Sequence, residues 1–109
     1  MRIWDFSVSK LCRAHLLGEH RELHAIWTVI TKDKKGYSHH PETVRWKGKL
    51  KALYLRHQEE AEEMEKRGYD HKSSLSLDEA TGKKIQDKKI DSIGAQRLLI
   101  KKKGCGCKV

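Results

Sequence analysis

The sequence predicts a compact all-α domain of about three main helices joined by long basic loops, and three observations carry that expectation. Apolar residues recur at three- and four-residue spacing in two long stretches, the period of a helix with one buried face. No stretch shows a convincing two-residue alternation, the mark of a half-buried strand. Gly68 and Gly104 stand where the second stretch and a shorter third one end, the usual place for a helix-terminating glycine.

The first stretch runs from about Ser9 to Ile30, with Leu16, Leu23, Ile26, Trp27 and Ile30 near one face and Ser7 or Ser9 as its cap. Thr31 to His40 is polar, holds Gly36, and leads to Pro41, a residue suited to the first turn of a helix. One long helix is then expected from Glu42 to Arg67, on the spacing of Trp46, Leu50, Leu53, His57, Ala61 and Met64. Its first half displays Arg45, Lys47, Lys49, Lys51 and Arg56, expected to face phosphates, and its second half displays Glu59, Glu60, Glu62, Glu63 and Glu65, expected to face water. Ser76 to Glu79 reads as a capping box opening a short helix. Asp91 or Ser92 opens a last helix through Ile93, Leu98, Leu99 and Ile100, stopped by three lysines and Gly104.

With 109 residues the chain suffices for one core, so residues 1–109 are expected to form a single domain, with 101–109 a flexible basic tail carrying Cys105-Gly106-Cys107. The net charge of +9 is unevenly spread. Residues 32–56 hold eight Lys and Arg against two Asp and Glu, and residues 83–109 hold nine against two. Two basic blocks flanking an acidic one suit contact with a phosphate backbone, since each Lys or Arg contact releases condensed counterions. No basic segment is paired with a strongly apolar one, and none has 18 consecutive apolar residues, so neither a membrane surface nor a membrane span is expected. Three cysteines, an odd number, argue against a disulfide framework and suit a reducing compartment; the expected location is cytoplasmic and nucleoid-associated, or more broadly intracellular.

Met1 to Trp27 reads MRIWDFSVSKLCRAHLLGEHRELHAIW. Its Arg2-Ile3 opening, His15-Leu16, and Glu19-x-Arg21-Glu22-Leu23 in that order resemble the N-terminal region of the phage-type endonuclease V family, the pyrimidine-dimer DNA glycosylases with abasic-site lyase activity. Lys49-Leu50 and Lys66-Arg67-Gly68-Tyr69 are similar to the family's long helix closed by Lys-Arg-Gly-aromatic, and Arg97-Leu98 with Lys101 matches its basic C-terminal helix more loosely. The resemblance covers about residues 1 to 75.

The resemblance implies a base-excision repair enzyme acting on damaged double-stranded DNA as a monomer, without cofactor or metal. In such an enzyme the N-terminal α-amine, here that of Met1, attacks the sugar carbon, expels the base and leaves an imine whose elimination cuts the strand. An α-amine titrates near about 7.7–8.0, so much of it is neutral and nucleophilic near neutral pH. Arg2 and Arg21, if near it, lower it further by like-charge repulsion. Glu22 matches the family carboxylate that stabilises the sugar cation and moves protons. His15 stands seven residues before it, nearly two helical turns, and so shares its face. Arg2, His15 and Arg21 would hold DNA beside the lesion. Tyr37, His39 and His40 in the loop, with Arg45, Lys47, Arg97 and Lys101, complete the expected DNA contacts. The sequence departs from the family at Met1, where a threonine is usual, and at Ala14 and Ala25, which replace a glutamine and an arginine, so damage preference is open.

His20 and His24 stand at metal-ligand spacing, but two ligands are too few for zinc. Cys105 and Cys107 have only Cys12 elsewhere to help, again short of the usual four thiolates. Trp4, Trp27 and Trp46 read as core, Tyr37 and Tyr69 as better stacking candidates. Two other classes compete: a non-catalytic basic nucleic-acid-binding module, and a thiol or metal protein built on Cys105 and Cys107.

Overall fold

A computed structural model describes residues 2–36, 38–69 and 74–108. Met1 and Tyr37, both named above, lie outside the described residues. Among these residues the protein is all-α: α1 (Arg13–Thr31), α2 (Pro41–Trp46), α3 (Leu50–Lys66) and α4 (Ile93–Lys101), with 3-10 turns at Val8–Lys10 and Leu77–Glu79.

Helix α1 buries Leu16, Leu23, Ile26 and Trp27, the face its period predicts, mainly against α3. It begins four residues later than expected. Ser7 caps the separate 3-10 turn instead, and Leu11 is extended at φ −78° and ψ 138°, which interrupts the helical hydrogen bonds before Arg13. Pro41 opens α2 in its first turn, as expected, and His40 is its cap.

The long helix from Glu42 to Arg67 is in fact two. Gly48 takes φ +76°, a left-handed conformation that an L-residue helix does not contain, and the chain turns there between α2 and α3. Lys49, the cap residue of α3, makes no side-chain cap bond. Loop carbonyls replace it: the Lys51 amide donates to Thr81 O at 2.7 Å and the Ala52 amide to Lys83 O at 3.0 Å. At its other end α3 closes as expected on Gly68, at φ +80°. The Tyr69 amide returns to Met64 O at 2.8 Å and the Gly68 amide to Glu65 O at 3.0 Å, the paired bonds of a Schellman end.

Residues 77–79 form only a single 3-10 turn, and Ser76 makes no side-chain cap bond, so the anticipated capping box does not form. Helix α4 starts where expected, with the Ser92 hydroxyl accepting from Ala95 N at 3.1 Å. The chain after α4 folds back on the first residues. The Lys108 amide donates to Lys10 O at 2.8 Å, and Cys105 and Cys107 pack against a cluster of Trp4, Phe6, Val8, Leu11, Leu16, Met64 and Ile100. A second cluster joins Ile3, Leu23, Ile26, Trp27, Trp46, Leu50, Ala52 and Leu53. All three tryptophans are core residues, as expected. Each large apolar side chain buried in these clusters contributes roughly 1.5–3 kcal/mol.

The acidic half of α3 does not simply face water. Glu60 is fully buried, and Glu63 is bonded to Arg67 at 2.7 Å.

Candidate active site

The described residues before the first 3-10 turn belong to no helix or strand, so their buried backbone groups must be satisfied by side chains. Five polar side chains do this. The Ile3 amide donates to Glu42 Oε1 at 3.2 Å, the Trp4 amide to Glu19 Oε1 at 2.8 Å and the Asp5 amide to Gln96 Oε1 at 2.8 Å. Arg45 donates to Ile3 O at 2.8 Å, and Arg56 to Phe6 O at 2.9 Å. Four of these five are buried and Arg56 nearly so, and an unpaired buried polar group costs about 1–3 kcal/mol, so the arrangement fixes the path of residues 3 to 6.

The holding groups are themselves held. Arg56 grips Glu19 bidentately, at 2.9 and 3.0 Å. Burial pulls the Arg56 guanidinium down, but Glu19, Glu60 and Glu59 more than offset it and raise it above its ordinary value. Arg45 is bonded to Glu42, Asp5 and Lys88 O as well as Ile3 O. Gln96 Nε2 donates to Asp5 Oδ2 at 2.8 Å.

This segment leads along a cavity of about 210 Å³ lined by Arg2, Trp4, Ala14, His15, Gly18, Glu19, Glu22 and Lys103. Arg2 pairs with Asp91 and lies over the Trp4 ring at 5.0 Å from its centroid. On α1, His15, Glu19 and Glu22 follow at spacings of four and three, so one helical face supplies an imidazole and two carboxylates to the cavity. Burial, and after it the Lys103 ammonium, lowers His15 below its ordinary value and so favours the neutral imidazole. A roomier recess of about 420 Å³ lies along Phe6, Leu55, Arg56, Glu59, Lys84 and Lys89. Glu22 and His15 line the smaller cavity and not this recess, so the smaller cavity is the better candidate for chemistry.

Of the residues expected to form the site, the cavity brings together Arg2, His15 and Glu22 and adds Lys103. Arg21 is exposed on α1, about 100° around the helix from Glu22, and is not part of the lining. Lys47, Arg97, Lys101 and His39 are exposed, whereas the half-buried His40 accepts the Glu42 amide through Nδ1 at 3.2 Å. Tyr69 is half-buried with the Arg13 guanidinium 5.3 Å from its ring centroid.

Arg45 corrects an expectation. It was expected at the phosphate-facing surface, yet its side chain is 5% exposed and its donors are spent on Glu42, Asp5 and two carbonyls. It is an internal anchor.

Sequence reasoning missed Glu19, Glu42, Arg56 and Gln96 as holders of the N-terminal segment. Their partners lie 15 to 91 residues away, a separation that no local pattern reveals. It also counted too few metal ligands. Cys12, His15, Cys105 and Cys107 place four ligand atoms within 4.8 Å of one another, and His20, His24 and His57 place three. The second group is a hydrogen-bonded chain in the core: His20 Nδ1 lies 3.0 Å from Glu60 Oε1, and His20 Nε2 lies 3.1 Å from His24 Nε2.

The family model for pyrimidine dimer DNA glycosylases matches residues 1–77, a span that includes the N-terminal segment, α1, α2 and α3. The chain belongs to the pyrimidine dimer DNA glycosylase family. Comparison with curated proteins and with solved structures gave no significant match. Membership makes this a DNA-repair protein of a family that acts on DNA carrying pyrimidine dimers. Among the described residues, no helix is long and apolar enough to cross a membrane.

Proposed function

We propose that this glycosylase excises the damaged base and then cuts the strand as an abasic-site lyase, with the Met1 α-amine as nucleophile and Glu22 as the carboxylate that moves protons. The observation that carries the reading is the side-chain lattice around residues 3 to 6. Buried Glu19, Glu42 and Gln96 hold the first backbone amides on a fixed path, and a fixed path is what a nucleophile at the start of the chain needs. Here that segment borders the cavity that contains Glu22.

The chemistry follows from the groups at hand. The neutral amine forms a bond to C1′ as the C1′–N bond to the base breaks, and the base leaves with a proton. The sugar ring then opens, its ring oxygen takes a proton, and an imine forms. Removal of a proton from C2′ expels the 3′ phosphate, and hydrolysis of the imine frees the enzyme. Glu22 is the cavity's candidate to oppose the positive charge developing on the sugar and to carry these protons. Arg2 and Lys103 supply positive charge for the phosphates beside the lesion, with Lys47, Arg97 and Lys101 as outer contacts. Because the duplex must be distorted to expose C1′, at a cost of a few kcal/mol, the exposed His39 before α2, and Tyr37 two residues earlier in the sequence, are proposed as groups that contact the opened site.

Cutting of duplex oligonucleotides carrying one pyrimidine dimer, or one abasic site, tests the reading. Both are cut by the protein, and Glu22→Gln slows both by roughly 10² or more. Tight, salt-sensitive binding with no cutting of either substrate would sink the proposal and leave a non-catalytic basic module.

A further inference from the structure

We infer that Cys12, His15, Cys105 and Cys107 form a closed four-ligand site for a soft divalent metal ion, zinc above all, which clamps the C-terminal segment onto the start of α1. The inference rests on geometry at the far side of His15 and does not depend on the glycosylase or lyase reaction.

The four ligand atoms come from two chelating pairs at opposite ends of the chain, Cys12-x-x-His15 and Cys105-x-Cys107. Cys12 Sγ lies 3.1 Å from His15 Nδ1, Cys107 Sγ 3.5 Å from the same nitrogen, and Cys105 Sγ 3.4 Å from Cys107 Sγ. Zinc bonds of about 2.3 Å to sulfur and about 2.0–2.1 Å to nitrogen set tetrahedral ligands roughly 3.5–3.8 Å apart. The cluster is already close to that spacing. A disulfide needs about 2.05 Å, and all three cysteines are free thiols.

The surroundings fit an ion as well. The Cys12 amide donates to Cys107 Sγ at 2.9 Å, the kind of bond that orients a coordinating thiolate. Three thiolates and a neutral imidazole around a divalent ion leave one negative charge, and Lys10, Arg13, Lys102, Lys103 and Lys108 flank the ligands in the chain. The Lys108 to Lys10 backbone bond holds the two ends in register. Ligand softness selects zinc over magnesium or calcium, which prefer oxygen. With all four positions filled by protein, no place remains for a reactive water, so the site is structural.

The site also gives His15 a different role from the expected DNA contact. His15 presents Nδ1 to the thiols while its ring forms part of the cavity wall with Lys103. Metal binding therefore fixes one wall of the cavity. The three-histidine group in the core is the weaker alternative, since it offers no thiolate and both nitrogens of His20 are engaged.

The test is cobalt uptake by the full-length, reduced, chelator-treated protein, followed by its electronic spectrum and by native mass. One cobalt ion per chain is expected, with thiolate charge-transfer and tetrahedral d–d bands, displaced by zinc. Cys105→Ser with Cys107→Ser abolishes the thiolate bands, and His24→Ala leaves them unchanged. To guard against misfolded variants, the unmodified protein is also probed with a thiol reagent: zinc slows modification of all three cysteines by at least about tenfold if they ligate it. A folded, reduced protein that takes up no cobalt, or takes it up with bands lost in His24→Ala but kept in the cysteine variant, overturns the inference. Thiol reactivity indifferent to zinc does so too.

Discussion

The Glu19 carboxylate accepts the Trp4 amide at 2.8 Å from a position one turn before Glu22 on α1. That bond ties the path of the N-terminal segment to the helix that carries the proposed proton-moving carboxylate. Arg56 of α3 completes the link by gripping Glu19 bidentately and donating to Phe6 O. With Glu42 and Arg45 of α2 and Gln96 of α4, four helices thus fix one short piece of backbone.

Breaking this link is expected to cost stability and activity together. Arg56→Met leaves the Glu19 charge buried without its partner, which costs about 3–5 kcal/mol. The urea midpoint of unfolding measures it. Arg56→Lys keeps the charge but loses the two-pronged grip, and is expected to fall between the two. A midpoint unchanged in Arg56→Met would mean that the pair contributes nothing to the fold.

Glu60 gives the protein a distinctive dependence on pH. Burial first, and then Glu19 beside it, pushes the Glu60 carboxyl up to about 11. The groups facing it are Glu19 and His20 on α1 and Arg56 and Glu59 on α3. An unfolded glutamate loses its proton near pH 4.3, roughly, so above that value the folded state holds a proton that the unfolded state has released. Stability therefore falls as pH rises from there toward the folded value, by up to about 1.4 kcal/mol per pH unit. Glu60→Gln, a permanent mimic of the neutral acid, removes this component. Its melting temperature is expected to gain on the parent protein as pH rises from 5 to 9, roughly. Parallel profiles for the two proteins would contradict a neutral Glu60.

Gly82→Ala is expected to be strongly destabilising for its size. Gly82 has φ +83°, and a Cβ there would stand 2.1 Å from the Gly48 carbonyl oxygen, a backbone atom that cannot step aside. The loop it shapes donates the Lys83 amide to Gly48 O and offers the Thr81 and Lys83 carbonyls to the uncapped start of α3. Loss of more than about 1 kcal/mol is expected by thermal melting. A neutral substitution would show that this loop does not hold α3.

Lys47 and Arg45, two residues apart, are expected to behave oppositely. Exposed Lys47→Ala leaves stability unchanged, weakens binding to all DNA sequences alike and flattens the dependence of log affinity on log salt by about 0.9. Arg45→Ala instead lowers the melting temperature, because Glu42 and Asp5 lose a buried partner. Salt titrations of binding, read beside the melts, separate the two. Equal effects on binding with no difference in melting would contradict the burial of Arg45.

How much was legible in the sequence follows from the range of each signal. The buried face of α1 was legible because helical period is a local signal, and Gly68 because a glycine after a long apolar period has a local consequence; the face of α4 was not, since Leu98 and Leu99 are exposed and Gln96 is buried beside Ile100. The break at Gly48 was not, since Trp46 and Leu50 stand four residues apart and keep the helical period running across it. Arg2, His15 and Glu22 could be assigned to one site through family resemblance, and the cavity gathers those three. Arg45 and Glu60 read as surface residues, and Glu42 and Gln96 drew no reading as holders, because the charge or polarity of a single residue says nothing of a partner folded in from elsewhere. His15 read as a DNA contact and Cys12 only as a helper to Cys105 and Cys107, because the two pairs that meet are separated by some ninety residues.

The central claim is that the N-terminal amine performs the chemistry, and borohydride trapping tests it most directly. The purified protein is mixed with abasic-site duplex DNA and borohydride, and the linked peptide is identified by mass. The account predicts one covalent adduct per chain, on the Met1 α-amine, formed far more slowly by Glu22→Gln. An adduct on a lysine, or none despite tight binding, would contradict it.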